Sequence, residues 1–250
     1  MTKKVTKTKE GFKFSTREIN ILKHFATINN SQVIYPDRFI VYSPSLTLYA
    51  DYLLLDDKKK PLYSFEAFGL YHVNEFLQIY SLYSSKDDDF KIERKESYLE
   101  FKSTNSKTIY PIVDIDILER YSKKLNEDVL NEQPILAEFI LSEDKISIFK
   151  KIGNVIKANK IIFNNNNGKI VVMIKNSDVG DSGINHFDEI TKDDIIKNEM
   201  DENVDFSLDF DNFVLMKDDY KVKLYEDMIL FESNSGLLRY LITLESEEDL

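Results

Sequence analysis

The chain repeats itself, and this limits its fold more than any other feature. The run ILKHFATINNSQVI, from Ile21, aligns with IFKKIGNVIKANKI, from Ile148, at an offset of 127. Ile21 matches Ile148, Leu22 matches Phe149, Lys23 matches Lys150 and Ile28 matches Val155. Further on, FKIERKESYLEFKS from Phe90 aligns without a gap with YKVKLYEDMILFES from Tyr220, at an offset of 130. Any two amphipathic helices share spacing, which alone could explain the first match. It does not explain the second, which has the pattern strand, turn, strand. Two matches in one order at nearly one offset predict a duplicated domain.

Each copy reads as helix, strands, helix, strands. Ser15 or Thr16 with Glu18 resembles a capping box. The Ile19, Leu22, Phe25 and Ala26 that follow lie on one helical face and are expected in a core. Val73–Tyr83 has helical spacing, and Phe210–Met216 is its shorter counterpart. Arg38–Tyr42 and Lys169–Ile174 read as strands after the opening helices. Phe90–Ile92, Leu99–Phe101, Val222–Leu224 and Ile229–Phe231 alternate as half-buried antiparallel strands, with turns at Glu96-Ser97 and Glu226-Asp227. The class is α+β: two similar domains, each an antiparallel sheet with two helices. The expected boundaries are a basic extension at 1–11, a first domain at 12–116, a connector at 117–137 and a second domain at 138–250. The connector region has room for a short helix over Leu118–Leu125. Asn164–Asn167 reads as a hairpin turn, and Glu189–Asp205 as a solvated acidic loop.

At 250 residues and 42% apolar, the chain can fill two cores. It has no cysteine, which excludes disulfides, thiolate metal sites and a cysteine nucleophile. The opening MTKKVTKTKEGFK has no apolar core of a signal peptide, and no apolar run is long enough to span a bilayer. A net charge of −11 argues against nucleic acid as a partner, but the charge is unevenly spread. Lys3, Lys4, Lys7, Lys9 and Lys13 lead the chain, and Glu245, Glu247, Glu248 and Asp249 close it. The polar face of the first helix carries Arg17, Asn20, Lys23, His24 and Thr27. The equivalent helix carries Ser147, Lys150, Lys151, Asn154 and Lys157, with Lys160 just beyond. One such face is ordinarily just solvated. Two equivalent faces with the same bias suit phosphate contacts that do not read sequence.

No catalytic constellation emerges. His24, His72 and His186 lack zinc spacing, and no nucleotide-binding loop or nucleophile elbow occurs. Asp87, Asp88 and Asp89, and Asp178, Asp181 and Asp188, lie in polar stretches where solvated charge is the simpler reading. No enzyme activity, cofactor or metal is expected. Two other classes stay open on the residues alone. One is a viral structural or assembly protein with a duplicated domain, and the other a metal-dependent nuclease using the loop carboxylates.

FSTREINILKHFATINNS, at Phe14–Ser31, resembles the opening helix of the bacteriophage sliding clamps. These are DNA polymerase processivity factors related in fold to proliferating cell nuclear antigen. VNEFLQIYSL is similar to the family's second helix, TIYPIV to the last strand of its first domain, and RYLITLESEEDL to its closing strand and tail. NNGKIVVMIKN and DDYKVKLYED fall where its second domain has strands. The extension, the long connector and the 189–205 segment depart from the pattern. The resemblance implies a homotrimeric ring with DNA-facing helices, here Arg17, Lys23, His24, Lys150, Lys151 and Lys157. It implies subunit contact between the edge at Ile109, Tyr110 and Ile112 and a neighbour's edge at Ile184, His186 and Phe187. It further implies a partner pocket beside the connector and last strand, with candidates Leu130, Pro134, Ile135, Leu136, Ile242 and Leu244. The implied partners are double-stranded DNA without sequence preference, a DNA polymerase, a clamp-loader ATPase and further copies of the chain. The implied place is the infected host's cytoplasm, outside the virion, with a part in late transcription as well as replication.

Overall fold

Ser15 forms the capping box read from the sequence. Its hydroxyl accepts from the Glu18 N–H at 3.2 Å, and the Glu18 carboxylate accepts from the Ser15 N–H. In this computed structural model the described residues are 11–87, 89–178, 183–202 and 204–245. Lys3, Lys4, Lys7, Lys9, Asp88, Asp181, Glu247, Glu248 and Asp249 lie outside them. The chain divides into two compact units. The first ends at Tyr42, resumes at Asp51 and runs to Lys124, while the second takes Ser43–Ala50 and everything from Leu125.

In the first unit α1 spans Thr16–Ile28 and buries Ile19, Ile21, Leu22 and Phe25. The strands β1 (Gln32–Ile34), β2 (Arg38–Tyr42), β3 (Leu48–Leu53, of which Asp51–Leu53 belong to this unit) and β4 (Phe68–Leu70) follow, in the order β3-β2-β1-β4. Helix α2 (Val73–Ser84) inserts Phe76, Leu77 and Tyr80 into the core. It is followed by the antiparallel meander β5 (Lys91–Arg94), β6 (Tyr98–Lys102) and β7 (Lys107–Pro111). Phe14 meets Phe39 and Phe76 edge-on, and Phe76 meets Tyr110 edge-on, so one aromatic cluster joins the segment before α1 and helix α2 to both sheets. A 3-10 turn at Ile115–Leu118 leads into the four-residue α3, Glu119–Ser122.

The second unit repeats this plan. After α4 (Glu127–Glu132) and β8 (Ala137–Leu141), α5 spans Glu143–Ile156. It starts 127 residues after α1 and is capped by Ser142, as α1 is by Ser15. The other strands are β9 (Lys160–Asn166), β10 (Lys169–Lys175), β11 (His186–Glu189), β12 (Ile195–Asn198), β13 (Asp205–Asp209), β14 (Tyr220–Leu224), β15 (Met228–Ser233) and β16 (Leu238–Thr243). One sheet runs β11-β10-β9-β13, and another runs β12-β8-β14-β15-β16. The hairpins β5-β6 and β14-β15 are the ungapped repeat, with bends at 96–97 and 226–227 as expected.

Four details differ from the sequence reading. Glu189–Asp205 is no plain loop: it supplies the edge strand β12, paired with β8, and buries Ile190 and Met200. Asn164–Asn166 lie in β9, and only Asn167-Gly168 make the turn, with φ of 52° and 80°. That is an asparagine–glycine hairpin, which left-handed backbone favours. Phe210–Met216 forms a single 3-10 turn, Phe210–Asn212, because the Phe210 ring is seated on α5 at Gly153. The connector helix breaks at Lys123, which is extended, into α3 and α4.

Candidate functional site

Three surfaces carry the sequence candidates. The first is the polar face of the opening helices. On α1, Arg17, Asn20, Lys23 and Thr27 are exposed, and His24 is half-buried against Phe25. Arg17 lies over the Tyr52 ring at 5.6 Å, which orients its guanidinium. On α5, Lys151 and Asn154 are exposed, and Lys157 is exposed in a left-handed cap, φ 53°. Lys150 does not join them, although the repeat aligns it with Lys23. Its ammonium donates to the Leu215 carbonyl above the Phe213 ring, and burial lowers its pKa to about 8. Lys160 is also turned away, paired with Glu245 at 3.0 Å. Exposed apolar residues, Ile148 and Val155, interrupt the α5 face.

The second surface is a pair of sheet edges. β7 ends the meander β5-β6-β7, and β11 ends the sheet β11-β10-β9-β13. Hydrogen bonds from Ile112 N–H to Ser97 (3.1 Å) and Ser103 N–H to Ser106 (3.0 Å) set the phase of the β6–β7 ladder. With the two-residue alternation of an antiparallel pair, Thr108 and Tyr110 bond inward to β6, and Lys107 and Ile109 direct their backbone groups outward. Pro111 shares the outward phase and has no N–H, as an edge strand tolerates. The Ile190 N–H to Ile170 bond at 2.9 Å likewise turns His186 and Asp188 inward, leaving Asn185, Phe187 and Glu189 outward. Ile109, Ile184 and Phe187 are 55%, 73% and 60% exposed. Tyr110 is a core residue whose hydroxyl donates to the His72 carbonyl at 2.9 Å, and the His186 ring lies edge-on to Phe149. Ile112 is half-buried. Of the expected contact residues, Ile109, Ile184 and Phe187 therefore present side chains, and Tyr110 and His186 do not.

The third is an apolar cluster on the outward side of the second unit's sheet. Leu130, Tyr225 and Leu230 are buried together, with Leu125, Ile135, Met228 and Leu241 partly buried against them. Leu130 and Ile135, two of the pocket candidates, belong to this cluster. Ile242 does not: β16 alternates, sending Leu238, Tyr240 and Ile242 into the core and Leu241 to the cluster. Pro134 is exposed, Leu136 is held in the sheet by its N–H to Leu224 at 2.8 Å, and Leu244 bonds to Asp227 at 2.9 Å. Sequence reasoning missed Tyr225, Met228, Leu230 and Leu241. The strand parity around Ile229 and Ile242 was the signal for the last two.

Three of the carboxylates considered for metal, Asp87, Asp178 and Asp188, are otherwise engaged. Asp188 pairs with Lys145, Asp87 accepts from the Asp89 N–H at 2.9 Å, and Asp178 accepts from the Asn159 amide at 3.3 Å. Among the described residues no three His, Asp or Glu side chains gather as a metal site. No helix of these residues is long and apolar enough to cross a membrane.

Compared with known proteins, the chain is 27% identical over 241 residues to the sliding clamp of Escherichia phage RB69, covering 94% of this chain and 97% of that one. The A. fulgidus PCNA solved with the C-terminal region of FEN-1 matches at a TM-score of 0.61 and 12% identity, over 92% of this chain and 95% of that one. The proliferating cellular nuclear antigen of Entamoeba histolytica matches at 0.60 and 10%, over 92% and 95%. No family profile matches. The fold is that of the DNA clamps, and the resemblance to the phage sliding clamps is borne out.

Proposed function

We propose that the chain is a DNA sliding clamp: a ring around duplex DNA that tethers a replicative polymerase and makes it processive. The observation that carries this is the end-to-end match to a phage sliding clamp by a chain with the duplicated clamp fold. In this reading three copies close head to tail, β7 of each adding to β11 of the next. A heterologous contact closes into a ring when the rotation permits it. Backbone pairing across two free edges, with Ile109, Ile184 and Phe187 covered, suits such a contact.

The opening helices then line the hole. Arg17, Lys23, Lys151 and Lys157 supply a few phosphate contacts, weak enough to slide. The outside stays acidic, which reconciles a net charge of −11 with DNA. The apolar surface of Ile135, Tyr225, Leu230 and Leu241 takes the polymerase's apolar anchors. A separate ATPase loads the ring, since the sequence has no nucleotide-binding motif. The place of action is the infected host's cytoplasm, with late transcription as a further use of the loaded ring. The 12–116 and 138–250 domains are the duplicated halves of each subunit. Electron microscopy of the purified protein at micromolar concentration tests the assembly. A three-subunit ring with a central hole is expected, and a strict monomer would contradict it.

A further inference from the structure

The connector helix α4 packs on this apolar surface through Leu130. Helix α4 has six residues, far fewer than a helix needs to stand alone in water. Side contacts hold it instead. Asn126 caps it, accepting from the Asp128 and Val129 N–H groups, and the Leu125 N–H donates to the Tyr49 hydroxyl at 3.3 Å. Leu130 is inserted between Tyr225 and Leu230 and is 5% exposed. Glu127 pairs with Arg239, whose side chain is only 7% exposed although it lies on the same outward face of β16 as Leu241. Beyond its cap and the Leu125–Tyr49 bond, one buried leucine and one ion pair fasten this marginal helix over an apolar surface.

We propose that α4 is a resident self-ligand, displaced when a partner docks. The incoming peptide places aliphatic or aromatic anchors where Leu130 sits, and the Glu127–Arg239 pair opens. Charge identifies the rest of that peptide. Asp128 and Glu132 on α4, and Glu226 and Asp227 between the cluster residues Tyr225 and Met228, are all exposed. Lys or Arg flanking the anchors complements them. An affinity measured for such a peptide is reduced by the fraction of molecules in which α4 is seated, so loosening α4 tightens binding. This inference rests on the clamp reading only in taking a polymerase as the partner.

Hydrogen exchange tests it on the full-length wild-type ring, loaded on nicked circular DNA, with and without the replicative polymerase of the same phage. Displacement predicts faster exchange at residues 127–132 in the complex. Leu130→Ala should bind polymerase about tenfold tighter, and Glu127→Gln several-fold tighter. Slower exchange at 127–132, or a weaker Leu130→Ala complex, would show that Leu130 only lines the site and would overturn the proposal. Unchanged exchange in a complex that forms would overturn it too, leaving the clamp reading intact. If the loaded wild-type ring binds no polymerase, the tethering reading fails and this one with it. The exchange arm needs no variant, so a poorly folding Leu130→Ala leaves the test decisive.

Discussion

Replacing Ile109 with proline should break the ring and spare the subunit. The Ile109 N–H points away from β6, so every β6–β7 bond survives the change, as it does beside the native Pro111. Antiparallel pairing with Ile109 opposite Phe187 of the next copy sets Lys107 opposite Glu189 and Pro111 opposite Asn185. The first two pairs exchange two hydrogen bonds each, and Asn185 donates one to the Pro111 carbonyl. At about 1 kcal/mol net per bond, the ladder contributes about 5 kcal/mol per interface. Proline at 109 removes one bond, about 1 kcal/mol, and crowds the approaching strand by about 2 kcal/mol more. Over three interfaces that is about 9 kcal/mol, or about six decades in the trimer association constant. Sedimentation velocity at micromolar concentration should show monomers that still melt cooperatively, at a temperature that no longer depends on protein concentration. Thr108→Pro is the control: it removes an inward bond to Phe101 and should lower the melting temperature itself. An Ile109→Pro protein still trimeric at nanomolar concentration would refute the register and the edge assignment.

Three further outcomes follow from the same geometry. Lys23→Gln or Lys151→Gln should each reduce the slope of log K against log salt for duplex DNA by about 0.9, whereas Lys150→Gln should leave it unchanged, because that ammonium serves the Leu215 carbonyl. Gly153→Ala should destabilise the second unit by about 1–3 kcal/mol, read by denaturant melts, since its Cβ would lie 2.0 Å from the Phe210 ring. Lys150 should also make stability rise with pH from about 8 towards 10. Its folded pKa is about 8 against an ordinary 10.5, so the unfolded chain binds more protons in that window. Above pH 10 the trend reverses, because burial raises Tyr220 and Tyr240 and the unfolded chain loses those protons first. Melts of wild type against Lys150→Met should differ in the first window, and equal pH profiles would remove Lys150 from the account.

The repeat, α1, α2 and the β5-β6 and β14-β15 hairpins were legible because local spacing decides them. Ser15 announces its helix, and the alternation in Val222–Leu224 and Ile229–Phe231 states which side is core. Features decided by tertiary partners were hidden. β12 is two isoleucines among acids and becomes a strand only because β8 offers an edge. Lys150 reads as the twin of Lys23, and only the irregular Phe213–Met216 segment, standing where α2 stands in the other unit, draws it inward. Ile242 and Leu241 are adjacent apolar residues, and parity on β16 decides which meets the connector. The grouping of Ser43–Ala50 with the second unit left no local trace, because it depends on long-range pairing such as Thr243 N–H to Thr47 at 2.9 Å.

The most direct measurement is retention of the loaded protein on DNA of different topology. The protein is loaded onto nicked circles, which are then gel-filtered before and after a restriction enzyme cuts them. A ring held by topology, with only a few phosphate contacts from Arg17, Lys23, Lys151 and Lys157, stays on the circle through moderate salt and leaves once the DNA has ends. Equal retention on circular and linear DNA, or salt-sensitive loss from both alike, would contradict a sliding clamp.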